Sequence, residues 1–284
     1  MTAFERQWGG GWSDRKLVAL SQYLTQYTKA LKNQPFELNY IDAFAGAGSL
    51  ALATEAGDEP GEEVNYRHGS PLVALGTEPV FDRFIFIEAS KKNLSALRSQ
   101  IEEKFPNHQP TYLEQDANDA LLDICNQNWI ESNRRGVVFL DPFAVHLKWE
   151  TIRRIGQTKA LDMWLLFPAM AINRMLPRYG QVPEAWKEKL TETFGTEQWE
   201  SAFYKDEGPD LFFDKNIAKT NQIFGQLCAF VVQRLKSEFV GVVEEPLVLK
   251  TDSGSPLFLL CFASGNPKGA PIATRIAGAI IKKA

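Results

Sequence analysis

The chain has 284 residues, 44% hydrophobic and 23% charged, which fits one large α/β domain with elaborations or one domain with an inserted lobe. A net charge of −4 and a pI of about 5.6 speak against a strong non-specific nucleic-acid binder, whose affinity rests on basic residues, while leaving room for a local basic face. No apolar run approaches the roughly 20 residues that span a bilayer, and the first twelve residues lack a basic stretch leading into an apolar core, so a cytoplasmic protein is expected.

The segment 13–33 carries apolar residues at helical spacing, with Ser13 or Asp14 as the expected N-cap. "FELNYIDAF" then reads as a buried strand running into the turn Gly46-Ala47-Gly48. "SLALAT" is expected to begin a short helix, 55–70 to form an acidic surface excursion, and "SPLVALGT" a second short helix. Strand 83–89, helix 90–105, strand "PTYLEQ", helix "DANDALLDICNQNWI", strand 136–142, helix 149–158 and strand 160–168 follow in regular alternation. That alternation predicts a parallel sheet with helices on both faces.

The region 169–236 is rich in Trp, Phe and Tyr, shows no convincing strand, and reads as a helical insertion closed by a long helix from Phe212. Trp186 and Trp199 are expected in its core. Two adjacent strands and a terminal helix complete the chain. The divisions are therefore 1–35, an N-terminal helical segment; 36–168, the first part of the core; 169–236, the insertion; and 237–284, the strand pair and helix that finish the sheet. Five β/α units followed by a strand pair match a seven-stranded, Rossmann-like sheet of the class I methyltransferase type. Cys125, Cys228 and Cys261 lie far apart without metal-ligand spacing, so no metal is expected.

Gly46-Ala47-Gly48-Ser49-Leu50-Ala51 satisfies G-x-G-x-x-A, which formally allows NAD(P) and an oxidoreductase. Asp42, four residues before Gly46, argues otherwise, because a carboxylate there repels a pyrophosphate. It suits a cationic ligand or a structural bond to the turn amides. The P-loop Lys-Ser/Thr pair is absent, which leaves triphosphates without support. S-adenosylmethionine (SAM), a phosphate-free zwitterion bearing a sulfonium, fits better.

In that reading Asp42, Phe44, Gly46 and Gly48 face the methionine end of SAM. Glu88, after the next strand, accepts the ribose hydroxyls. Asp116 and the Ala117 N–H, after the third, meet the adenine. After the fourth strand comes Asp141-Pro142-Phe143, near the Asp/Asn-Pro-Pro-aromatic turn of amino-group methyltransferases. There the carboxylate orients the substrate nitrogen and the ring stacks on a flat acceptor. One Pro is missing, and Ala144 stands where the aromatic is usual. Ser70, His146 and Arg174 are candidate substrate contacts, Arg174 for a phosphate or carboxylate.

"YIDAFAGAG", "GSPLVAL", "FIFIEAS", "QDAND", "LDPF" with Trp149, and "FPAMAINR", preceded by the W…K…L..YL..Y pattern of residues 12–27, together resemble the three-Cys-motif partner protein family over roughly residues 8–178. The resemblance implies a class I methyltransferase-like fold and a functional link to a second protein bearing a cysteine cluster. It leaves open a non-catalytic partner module as the alternative to an enzyme that methylates an amino nitrogen of a base in DNA or RNA.

Overall fold

A computed structural model describes residues 11–51, 66–206, 217–220 and 222–284. In chain order these form α1 (Trp12–Leu31), β1 (Glu37–Asp42), β2 (Ser49–Ala51), β3 (Tyr66–His68), α2 (Ser70–Leu75), β4 (Arg83–Ile87), α3 (Lys91–Lys104) and β5 (Thr111–Leu113). Then come α4 (Ala117–Cys125), β6 (Arg134–Leu140), α5 (Trp149–Gln157), β7 (Leu161–Phe167), α6 (Ala169–Arg174), α7 (Glu184–Phe194) and α8 (Trp199–Phe203). The remainder is β8 (Tyr204–Asp206), β9 (Ile217–Lys219), α9 (Ile223–Glu238), β10 (Gly241–Val242), β11 (Leu247–Lys250), β12 (Pro256–Ser264) and α10 (Ala270–Lys283).

The main sheet runs β10-β12-β7-β6-β1-β4-β5, with β11 on the same flank of β12 as β10. β5, β4, β1, β6 and β7 are parallel, and β12 enters antiparallel beside β7. β10 and β11 pair with opposite ends of β12, so they occupy one strand position in two pieces. The sheet therefore has seven positions.

Side chains of a strand alternate between faces, and the core divides accordingly. Val138 and Leu140 of β6 join Ile41, Met163, Leu165 and Phe167 under α4, α5 and α9. Val137 and Phe139 join Tyr40, Phe86, Trp164 and Leu166 under α1, α2 and α10. The insertion is part of the first layer, since Leu190, Phe194, Trp199 and Phe203 share its core with Ile152 and Phe167. Trp199 is fully buried as expected, whereas Trp186 is exposed at 42%.

Several local expectations are corrected. α1 is capped by the backbone of Gly11 and by no side chain, so neither Ser13 nor Asp14 is its N-cap. Ser49–Ala51 is a strand paired antiparallel with Tyr66–His68, not the start of a helix, and the rest of "SLALAT" with most of the acidic excursion lies outside the described residues. The insertion contains the hairpin β8–β9, and its closing helix begins at Ile223, after a strand at Ile217–Lys219. Part of the long helix expected from Phe212 lies outside the described residues. Among the described residues no helix is long and apolar enough to cross a membrane, and no His, Cys, Asp and Glu cluster could hold a metal ion.

Candidate active site at the carboxyl ends of the strands

In a parallel sheet the loops after adjacent strands converge on one edge, where open α/β folds place their ligands. β1, β4 and β6 deliver Asp42, Glu88 and Asp141 to that edge.

Gly46 and Gly48 both have positive φ, 60° and 85°. A Cβ added to Gly48 would come within 2.6 Å of Leu97 Cδ1, so this glycine lets the turn press onto α3. Among the described residues a Cβ on Gly46 would meet nothing within 4 Å. Glu88 reaches back across the edge. Its Oε2 accepts the Gly46 N–H at 3.0 Å, and its Oε1 accepts the Ser90 N–H at 2.8 Å. Two sequence-predicted cofactor residues are thereby joined by a hydrogen bond. Asp116 is exposed and caps α4 through Asn118 N at 2.8 Å. Ala117 opens that helix, where first-turn N–H groups have no intrahelical acceptor.

Asp42 is fully buried. Tyr40 Oη donates to its Oδ2 at 3.1 Å, and the Phe44 N–H to its Oδ1 at 3.3 Å. Burial pushes the carboxyl up to about 7; hydrogen bonds from Ser70 and Tyr40 oppose that rise, and the nearby Asp141 charge adds to it. Of the two roles open to this acid in the sequence, the structure supports the brace of the glycine turn. Ser70, a candidate substrate contact, is buried and belongs to that brace.

Asp141 is partly exposed and pairs with Lys16 from the first turns of α1. Lys16 is itself buried, at 6% exposure, and is not among the site residues expected from the sequence. Its place in the stripe Lys16, Leu20, Tyr23, Tyr27, spaced as one helix face, was the available signal. The ammonium binds Oδ2, and Oδ1 is left for another donor.

Pro142 is buried and Phe143 is exposed at 83%. Phe143 packs loosely on the exposed His146, with ring centroids 6.2 Å apart. Ala144 takes the left-handed conformation at φ 52°, which disfavours an L side chain by roughly 1–2 kcal/mol. Ala144→Gly is accordingly expected to raise stability by about 0.5–1 kcal/mol in urea unfolding, because the strain relieved exceeds the added chain entropy. Arg174 is exposed at the end of α6, beyond β7 on the same edge.

No protein-family model matches the chain, and no curated protein matches it. Among solved structures it is similar to protein LPL1258 of Legionella pneumophila at 17% identity, over 66% of this chain and 75% of that one, with a TM-score of 0.40. It is similar to the magnesium protoporphyrin IX methyltransferase of Synechocystis PCC 6803 with bound SAH, at 12% identity, 92% of each chain and a TM-score of 0.40. The N-terminal domain of EvdMO1 with SAH bound is a third, at 10% identity, 86% of this chain and 80% of that one, with a TM-score of 0.42. The chain's own strand order, with an antiparallel strand between the fifth parallel strand and the sixth position, is a class I methyltransferase-like sheet.

Proposed function

We propose that the chain is a SAM-dependent methyltransferase acting on an amino nitrogen, with a nucleobase of DNA or RNA as acceptor. The observation that carries the reading is the junction of Glu88 with the Gly46 turn on the same sheet edge as Asp141.

The residues present fit the cofactor. Gly46 has room beside it among the described residues, and Glu88 is half-buried with two oxygens that can accept ribose hydroxyls as alternatives to the Gly46 and Ser90 amides. Asp116 and Ala117 begin a helix beside it. SAM brings the activated methyl group, so the protein's part is to hold and orient the acceptor. Asp141 Oδ1 accepts one substrate N–H, which turns the nitrogen lone pair toward the donor. Lys16 fixes the carboxylate in position through Oδ2. Phe143, exposed at the mouth, stacks on the flat acceptor, and Arg174 supplies a cation for a backbone phosphate. Phe143 thus takes the part of the aromatic one position later in the usual turn.

Titration calorimetry with SAM tests the cofactor half. Wild type is expected to bind one equivalent, and Glu88→Gln to bind about 10–100-fold more weakly, as for a lost charge-assisted hydrogen bond. Absence of binding by the folded wild type defeats the proposal.

A second reading is a partner module that keeps this fold and acts with a Cys-cluster protein, as the three-Cys-motif resemblance implies. Exposed Tyr179 and Trp186, both in the insertion, favour a protein-facing surface there. Stable co-purification with a Cys-cluster protein, without turnover on any nucleic acid, would select it.

A further inference from the structure

At the opposite edge of the sheet, where β6 and β7 begin, a cavity of about 350 Å³ lies between the second half of α1 and the first turns of α10. That volume is within the range of small-molecule sites, roughly 300–1,000 Å³. Asp42 and Asp141 end the strands β1 and β6, whose opposite ends lie beside it at Phe36 and Arg135, so it is separate from the proposed SAM site.

Its lining is organised. Tyr27, Phe36 and Ile272 form apolar walls, with Tyr27 stacked on Phe81 at 5.9 Å between centroids. Arg135 lies over the Phe36 ring at 4.4 Å, which fixes the guanidinium in the wall. Its Nη1 donates to the carbonyl of Arg134, its Nε is buried with no hydrogen-bond partner, and it has no ion pair among the described residues. A second cation, Lys268, stands exposed at the rim. Deeper, Asp162 is buried at 5% exposure and accepts Tyr23 Oη at 2.6 Å.

A guanidinium without a counter-ion, beside an apolar slot, is an arrangement that an anionic ligand completes. Asp162 makes no ion pair with Arg135 among the described residues, and its Oδ2 accepts Tyr23. The geometry points to a second binding site here, taking a small organic anion: a flat apolar body between Tyr27, Phe36 and Ile272, and a carboxylate or sulfonate on Arg135 with Lys268 at the rim.

Anilinonaphthalenesulfonate is a suitable probe, being a flat aromatic body with one sulfonate. Its fluorescence titration on the full chain is expected to give one saturable site that excess SAM does not displace. Arg135→Gln is expected to weaken it at least tenfold. Ala30→Trp, at an exposed position on the cavity lip, is expected to abolish it while leaving the thermal midpoint and SAM binding unchanged. Phenylnaphthylamine, the same body without the anion, is expected to bind at least tenfold more weakly. The site is refuted by any of four results: no saturable binding to wild type, displacement by SAM, equal binding of the neutral analogue, or unchanged affinity in both variants. Because SAM affinity is read in parallel, loss of this site and loss of the methyltransferase reading are distinguishable.

Discussion

Asp141→Ala is expected to reduce methyl transfer by two to four orders of magnitude with SAM affinity within twofold of wild type. In the proposed reaction the carboxylate aligns the nitrogen and stabilises the positive charge that develops on it, and groups of this kind are worth about that much. Its absence should therefore lower kcat and kcat/KM together, as for an interaction made mainly in the transition state. The variant also removes one carboxylate from the buried Lys16, which is 6% exposed, and so is expected to lower stability as well. Activity loss in Asp141→Ala alone would thus mix chemistry with unfolding. The double variant Lys16→Met/Asp141→Ala removes both charges of this pair and should remain inactive. Asp141→Asn keeps an acceptor oxygen and should retain more activity than Asp141→Ala. Single-turnover methylation of nucleic acid checks all three, with urea unfolding alongside. Recovery of turnover in the double variant would show that Asp141 serves the fold and not the reaction.

The sheet and its edge were legible because the relevant signals are short-range. β1, β4 and β6 are apolar runs that each terminate in an acid, Asp42, Glu88 and Asp141. β2 was missed because "SLA" has no alternation of its own and is defined by pairing with Tyr66–His68, across a gap of many residues. The β8–β9 hairpin failed for the same reason. Lys16 was overlooked because a lysine near a helix start reads as solvated. Its burial is tertiary, arising where α1 crosses over the end of β6 and the ammonium finds Asp141. Asp42 was found but its surroundings were not. Nothing local in "NYIDAF" reveals that Tyr40, two residues back on the same face, and Ser70 on α2 enclose the carboxylate.

That enclosure predicts a particular pH dependence. Burial raises Asp42 from an ordinary 3.8 to about 7, so between those values the native state holds a proton that the unfolded chain has released. The folded state then binds more protons than the unfolded one, and stability falls as pH rises. The contribution is fully present below about pH 4 and is lost on passing through 7. At about 1.4 kcal/mol for each tenfold change in proton affinity the ceiling is roughly 4 kcal/mol. Relaxation and water entry around a buried carboxylate bring the expected change to about 1–2 kcal/mol. Asp42→Asn has no proton to lose and keeps its one acceptor oxygen for the Phe44 N–H, while its amide nitrogen faces Tyr40 Oη, a hydroxyl that can turn to accept. Its unfolding free energy is therefore expected to decline less than that of wild type between pH 5 and 8, with the two proteins diverging toward the alkaline end. Asp162, raised by burial to about 6, acts in the same direction and completes its loss earlier. Asp42→Asn should flatten the upper part of the profile, and Asp162→Asn the lower. Parallel profiles for wild type and Asp42→Asn in urea titrations would mean that the Asp42 carboxylate is already ionised at pH 5. The glycine turn would then be braced by a charge and not by a neutral acid.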